Sequence, residues 1–196
     1  MKRVRNFVLI IFVCLFANVI SVEASSPTPV FGGKYTRGIK RISWYMSYAN
    51  NGGCYEYQII NAVNNWQSPG WYNPIVFVAA SSNAGTMMDI YSKSDTFWPT
   101  NVRSGILAET RFYDGSGTRL YPTVDYVYTE IFINDTTMHN LNVDNMRGTI
   151  THEIGHALGL DHNNNNPNSI MCQTSSHRVV QTVQEIDNTA VVNLYS

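Results

Sequence analysis

The chain of 196 residues is 44% hydrophobic and 14% charged, which suits one folded domain and argues against long disordered tails. Without residues 1–24, 10 basic and 13 acidic side chains remain, a net charge of −3. This charge gives no electrostatic reason to expect nucleic acid or an anionic membrane as a partner, and we expect neither.

The first residues are typical of a secretory signal. Three basic residues precede an apolar run over residues 7–20, and Val22 and Ala24 offer the small side chains that a signal peptidase requires. We therefore predict a signal peptide over residues 1–24 and a secreted, extracellular protein that makes no membrane contact after cleavage. An uncleaved N-terminal anchor is the alternative.

Prolines and glycines punctuate residues 25–38, which we interpret as a flexible lead-in to a domain over residues 39–196. Alternation of apolar residues predicts strands over residues 39–47, 75–80, 86–91, 105–112 and 126–133. Helical spacing predicts helices over residues 55–66, 144–158 and 183–194, with Asp144 as the N-cap of the second. A twisted sheet backed by helices follows from this order.

Two cysteines remain after removal of the signal, Cys54 and Cys172. In an oxidising exterior such a pair often forms a disulfide, whereas two separately buried thiols are the alternative.

Chemistry is concentrated in the second predicted helix. His152, Glu153 and His156 form an H-E-x-x-H pattern, whose two histidines lie four residues apart and therefore on one helical face. Two imidazoles can then bind one zinc ion, and Glu153 lies beside the metal as a base for water.

His162 completes a set of three imidazoles only if the helix ends first. Six residues of continuing helix would carry it about 9 Å along the axis. Gly159 stands where a left-handed residue ends a helix without steric cost. Three histidines leave an open fourth position, as in a catalytic zinc site. A bare H-E-x-x-H has false positives, and we interpret His139 and His177 as ordinary loop residues.

The segment HEIGHALGLDH, residues 152–162, resembles the extended zinc motif of the metzincins and is most similar to that of the matrixins. The resemblance implies an α+β fold with a mainly parallel sheet of about five strands and an antiparallel edge strand over residues 105–108. It implies that Met171 forms an apolar floor in a Met-turn, followed by a C-terminal helix. It also implies that peptide binds along the edge strand near Leu107, and that a side-chain pocket beside the zinc, walled by residues 163–178, selects the residue after the cut.

The chain also departs from the animal matrixins. Residues 25–38 contain no Cys, Asp, Glu or His that could plug the zinc, so we expect activity without removal of a large prodomain. No His precedes residue 139, so a second, structural zinc is not expected. Calcium is possible at Asp114 or Asp125 but unsupported.

We therefore expect a secreted, monomeric zinc endopeptidase with one catalytic zinc on His152, His156 and His162, Glu153 as general base, and protein or peptide substrates. Two alternatives remain. The first is a secreted binding protein of the same fold without turnover. The second is a structural zinc domain with Cys172 as the fourth ligand.

Overall fold

A computed structural model describes residues 27–47, 55–101 and 104–196. The predicted signal peptide and Cys54 lie outside these residues. Within the described part of the chain, no helix is long and apolar enough to cross a membrane.

Within these described ranges, six strands form a single sheet in the order β2-β1-β3-β6-β4-β5. They are β1 (Ile42–Ser47), β2 (Phe77–Ala79), β3 (Met88–Lys93), β4 (Ala108–Tyr113), β5 (Arg119–Leu120) and β6 (Tyr128–Asn134). The first three and β6 are parallel, whereas β4 runs antiparallel to β6 and β5 runs antiparallel to β4. The predicted mainly parallel sheet with an antiparallel edge is confirmed, although the antiparallel strand is Ala108–Tyr113 rather than residues 105–108. The two-residue β5 is additional.

Four α-helices accompany the sheet in the part of the chain that the structure describes. They are α1 (Glu56–Gln67), α2 (Asp135–Met138), α3 (Val143–Ala157) and α4 (Glu185–Leu194). The helical spacing in α1 buries Ile59, Val63 and Trp66, although Ile60 is exposed. The indole N–H of Trp66 donates to the backbone oxygen of Thr151 at 2.8 Å. This bond fixes α1 against α3, the helix that carries the zinc motif.

The start of α3 differs from the prediction by two residues. Asn142 is the N-cap, and its side-chain oxygen accepts from the backbone N–H of Asn145 at 2.8 Å. Asp144, the predicted cap, lies in the first turn and pairs with Arg147 at 2.9 Å. A carboxylate is favourable there because the N-terminus of a helix carries partial positive charge. The predicted end is confirmed, since Gly159 follows the C-cap with φ of 99°.

Residues 27–38 are packed against the domain, which corrects their interpretation as a flexible lead-in. Tyr35 is only 2% exposed, and its hydroxyl group lies 2.5 Å from that of Thr129. A Cβ atom on Gly33 would come within 1.9 Å of the backbone oxygen of Val124. The glycine signal was misleading, because Gly33 allows two backbones to meet closely rather than the chain to flex.

Candidate active site

Helix α3 presents two buried imidazoles, each with its Nδ1 atom against a backbone oxygen. Nδ1 of His152 lies 2.8 Å from the backbone oxygen of Ile170, and Nδ1 of His156 lies 2.8 Å from that of Leu160. A carbonyl oxygen only accepts, so both Nδ1 atoms carry the proton. Both Nε2 atoms are therefore left with a lone pair for a metal ion.

A sharp turn after α3 brings the third imidazole back. Gly159, in the left-handed region at φ of 99°, ends the helix, and a Cβ atom there would also meet Leu194 at 2.6 Å. Asp161 then accepts from the backbone N–H of His162 at 2.7 Å. Nε2 of His162 consequently lies 3.2 Å from Nε2 of His156. The turn therefore returns His162 to the histidines of α3, as the sequence spacing predicted.

The three imidazoles fit a zinc ion. The ligand atoms of His152, His156 and His162 all lie within 4.8 Å of one another. Tetrahedral zinc with bonds of about 2.0–2.1 Å separates its nitrogen ligands by about 3.3 Å, close to the 3.2 Å found for one pair. Burial lowers the pKa of all three imidazoles, which keeps them neutral and able to bind metal.

Glu153 lies beside the imidazoles with its carboxyl group buried. Its Oε2 accepts from the hydroxyl group of Thr110, on β4, at 2.7 Å. Burial raises the pKa of the Glu153 carboxyl to about 7. A cation bound nearby would lower this pKa, since it favours the charged form. Thr110 carries no motif of its own, and the sequence prediction missed it.

Met171 packs against α3 at Gly155. The side chain is fully buried, and its sulfur would be 2.3 Å from a Cβ atom on Gly155. Gly155 lies between His152 and His156 in the sequence. Because it has no side chain, the sulfur of Met171 can pack directly against the helix backbone. The methionine therefore supports α3 at the glycine between its two motif histidines.

Two cavities meet at these residues. The larger, about 710 Å³, extends along Thr110, Phe112 and Tyr121 to all three histidines. The smaller, about 180 Å³, lies between residues 105–108 and residues 173–178. His152 and Glu153 line both. An elongated ligand could therefore cross the three imidazoles with part of its length in each cavity.

The model of the matrixin family matches residues 41–196. This chain belongs to the matrixin family of metallopeptidases. The family implies hydrolysis of peptide bonds and a zinc ion, for which the histidine triad provides the donor set.

Serralysin A of Dickeya chrysanthemi is 45% identical to this matrixin over 60 residues, which cover 25% of this chain and 13% of that protein. The chain therefore spans only a small part of that relative. A chain in the structure titled "GM1 bound form of the ECX AB5 holotoxin" has 16% identity and a TM-score of 0.49, over 84% of this chain and 85% of that one.

The other candidate ligands of this matrixin lie apart from the triad. His139 and His177 are both exposed. The thiol of Cys172 is free and buried, and it contacts the backbone oxygens of Gln173 and Ser176. Among the described residues, only the three histidines gather as a group of at least three His, Cys, Asp or Glu ligands. A fourth thiolate ligand and a calcium site at Asp114 or Asp125 therefore gain no support.

Proposed function

We propose that this matrixin is a zinc endopeptidase in which His152, His156 and His162 hold one catalytic ion and Glu153 is the general base. The observation that carries the proposal is the convergence of three imidazoles within 4.8 Å beside a buried carboxyl group. Three protein ligands leave the fourth position of a tetrahedral ion open, as hydrolysis requires.

The zinc ion, Glu153 and Thr110 each have a separate role in the proposed reaction. A bound zinc ion supplies Lewis acidity, which polarises a carbonyl group and lowers the pKa of water toward about 7. Glu153 accepts a proton from water as the water oxygen bonds to the carbonyl carbon. The same carboxyl group then delivers that proton to the leaving nitrogen as the C–N bond breaks. The Thr110 hydroxyl keeps Oε2 oriented toward this exchange.

The edge of the sheet supports an extended peptide as substrate. Strand β4 pairs with β6 along its whole length, whereas its pairing with β5 involves only Phe112 and Tyr113. In the described part of the sheet, the other edge of residues 108–111 therefore has no strand partner. These residues line the larger cavity, where a peptide could add as a further strand.

Measurement of zinc content together with cleavage of casein tests the proposal. The wild-type protein is expected to bind one zinc and cleave. Glu153→Ala is expected to keep zinc and lose about 10²–10⁴-fold in turnover, the usual contribution of a general base. Glu56→Ala, at an exposed glutamate in α1, is the matched control and should retain full turnover.

Other results would identify one of the two alternatives. A wild-type protein that holds zinc without cleaving would be the secreted binding protein. One that unfolds on chelation and never cleaves would be the structural zinc domain. Full activity of Glu153→Ala would overturn the role of the base.

Secretion and the monomeric state belong to the same proposal. The basic start and apolar run of residues 1–24 support export. Mass spectrometry of protein recovered from culture medium should find an N-terminus at Ser25. Sedimentation of the same material should give the mass of one chain, and retention of residues 1–24 would contradict cleavage.

A further inference from the structure

The smaller cavity has the dimensions of a pocket for one side chain. Its volume of about 180 Å³ is below the roughly 300–1,000 Å³ of a small-molecule site. Ile106, Leu107 and Ala108 form one wall, and Thr174 and Ser175 lie opposite. Because His152 and Glu153 also line the cavity, a side chain next to the bond being cut would enter it.

Arg178 places a guanidinium group at this cavity, whose other ionisable lining side chains are Glu153 and His152. It is the lone lysine or arginine among the lining residues. None of the ion pairs found among the described residues includes Arg178. Its buried Nε has no hydrogen-bond partner in that part of the chain. Nη1 and Nη2 each make one contact with a described residue, so each retains one further N–H donor for a ligand.

The remaining contacts of Arg178 are long. Nη1 lies 3.5 Å from the backbone oxygen of Ile170, and Nη2 lies 3.3 Å from Oε1 of Gln181. That oxygen of Ile170 also accepts from His152 at the shorter distance of 2.8 Å. Charged donors normally bond at about 2.7–2.9 Å. Neither contact therefore satisfies the guanidinium group.

The position of Arg178 is nevertheless fixed by its neighbours. Gln181 donates to the side-chain oxygen of Asn145, on α3, at 2.8 Å. A Cβ atom on Gly148 would lie 1.7 Å from Oε1 of Gln181 and 3.2 Å from Nη2 of Arg178. The absence of a side chain at Gly148 lets both residues pack against α3. The charge is thereby held at the cavity before any ligand arrives.

We propose that this cavity binds a carboxylate side chain, so that the enzyme prefers peptides with Asp or Glu immediately after the bond that is cut. The inference rests on the proposed function and adds a substrate class to it. A carboxylate matches the planar guanidinium group in charge and can accept two parallel hydrogen bonds from it. It would also provide the short partners that Arg178 lacks within the described protein.

Matched peptides test this inference. Two quenched, C-terminally amidated peptides differ only in Asp or Asn after the expected bond, so that size is constant and charge changes. The wild-type kcat/KM should favour the Asp peptide by about 10- to 100-fold, the usual effect of a hydrogen bond to a charged group. Arg178→Met should reduce this ratio to about one, while Arg178→Lys should keep part of it. Arg41→Met, at an exposed arginine that lines neither cavity, should leave the ratio unchanged.

A binding measurement separates the inference from the proposed function. Zinc-loaded Glu153→Ala should bind the Asp peptide more tightly than the Asn peptide in fluorescence anisotropy, whether or not the wild type cleaves. Equal binding and equal cleavage of the two peptides, or a preference for an apolar residue, would overturn the inference and leave the peptidase proposal intact. An acidic preference that persists in Arg178→Met would also overturn it. If Arg178→Met does not fold, Arg178→Gln takes its place.

Discussion

Two buried carboxyl groups, Glu153 in α3 and Asp187 in α4, differ in the number of their hydrogen-bond donors. Asp187 Oδ1 accepts from the hydroxyl groups of Thr28 at 2.6 Å and Ser169 at 2.5 Å. Its Oδ2 accepts from the backbone N–H groups of Ile170 at 2.9 Å and Gln184 at 3.2 Å. Among the described residues, the Glu153 carboxylate accepts from Thr110 alone.

The difference separates an acid with a structural role from Glu153, the proposed general base. Burial raises the pKa of both carboxyl groups. Asp187 has no exposed surface, and its four donors join the N-terminal segment, the Met-turn and α4. Glu153 lines both cavities and has accepting capacity left over. A buried carboxyl group is thus able to exchange protons where the fold leaves it incompletely bonded.

The largest expected effect comes from removing the structural acid. Asp187→Ala leaves four donors without their acceptor, two of them backbone N–H groups. We expect a loss of roughly 3 kcal/mol or more in the free energy of unfolding, since each buried unsatisfied donor costs about 1–3 kcal/mol. Urea denaturation followed by circular dichroism measures it. Asp144→Ala, whose carboxylate pairs with Arg147 at the surface of α3, should cost less than about 1 kcal/mol. Equal losses would remove the distinction.

Glu153, the proposed general base, should instead destabilise the metal-free protein. The pKa of Glu153 is about 7 in the folded state against an ordinary 4.5. The folded state therefore binds the proton more tightly, and the stability present below pH 4.5 is lost as the pH rises through 7. In the chelated protein at pH 8, Glu153→Gln should gain roughly 3 kcal/mol over the wild type. Calorimetry in EDTA at pH 8 and pH 4 measures the gain, which should vanish at pH 4. The exposed Glu185→Gln, in the first turn of α4, should instead lose less than about 1 kcal/mol at pH 8, because a carboxylate there is weakly stabilised by the helix N-terminus.

Removing one of the four donors to Asp187 tests how the stabilising contribution is divided among these hydrogen bonds. Thr28→Val keeps the shape of the side chain but loses its hydrogen bond to Asp187. We expect a loss of about 1–2 kcal/mol in unfolding free energy, because Ser169 still bonds to the same oxygen. Thr189→Val, at an exposed position of α4, provides the matched control. No loss in Thr28→Val would mean that the N-terminal segment adds nothing to this network.

The smallest expected effect concerns Thr110, the single hydrogen-bond donor to the Glu153 carboxylate among the described residues. Thr110→Val should lower kcat by about 3- to 10-fold through a less well oriented Glu153, with little change in KM or in unfolding free energy. Thr110→Ser should recover most of kcat, since it restores the hydroxyl group. Stopped-flow cleavage of a quenched peptide measures both constants. A loss in KM alone would assign Thr110 to substrate binding instead.

Local patterns predicted the parts of the site that are close in sequence. The H-E-x-x-H spacing, the break at Gly159 and the Met-turn all lie within residues 152–171, where helix periodicity and a left-handed turn decide the geometry. Thr110 and Arg178 have no such signature, because their relation to Glu153 is set by the sheet and by a loop. The link between Thr28 and Asp187 spans 159 positions. No local pattern indicates a partner at that separation.

The position of residues 27–38 also constrains the order in which the site can form. Thr28, Lys34 and Tyr35 bond to Asp187, the backbone oxygen of Leu194 and the hydroxyl group of Tyr195. Pro29 accepts from the backbone N–H of Asp161, next to the third histidine. A nascent chain cannot hold this segment until α4 has been synthesised. The proposed zinc ligands are therefore fixed in place only after nearly the whole chain has been made.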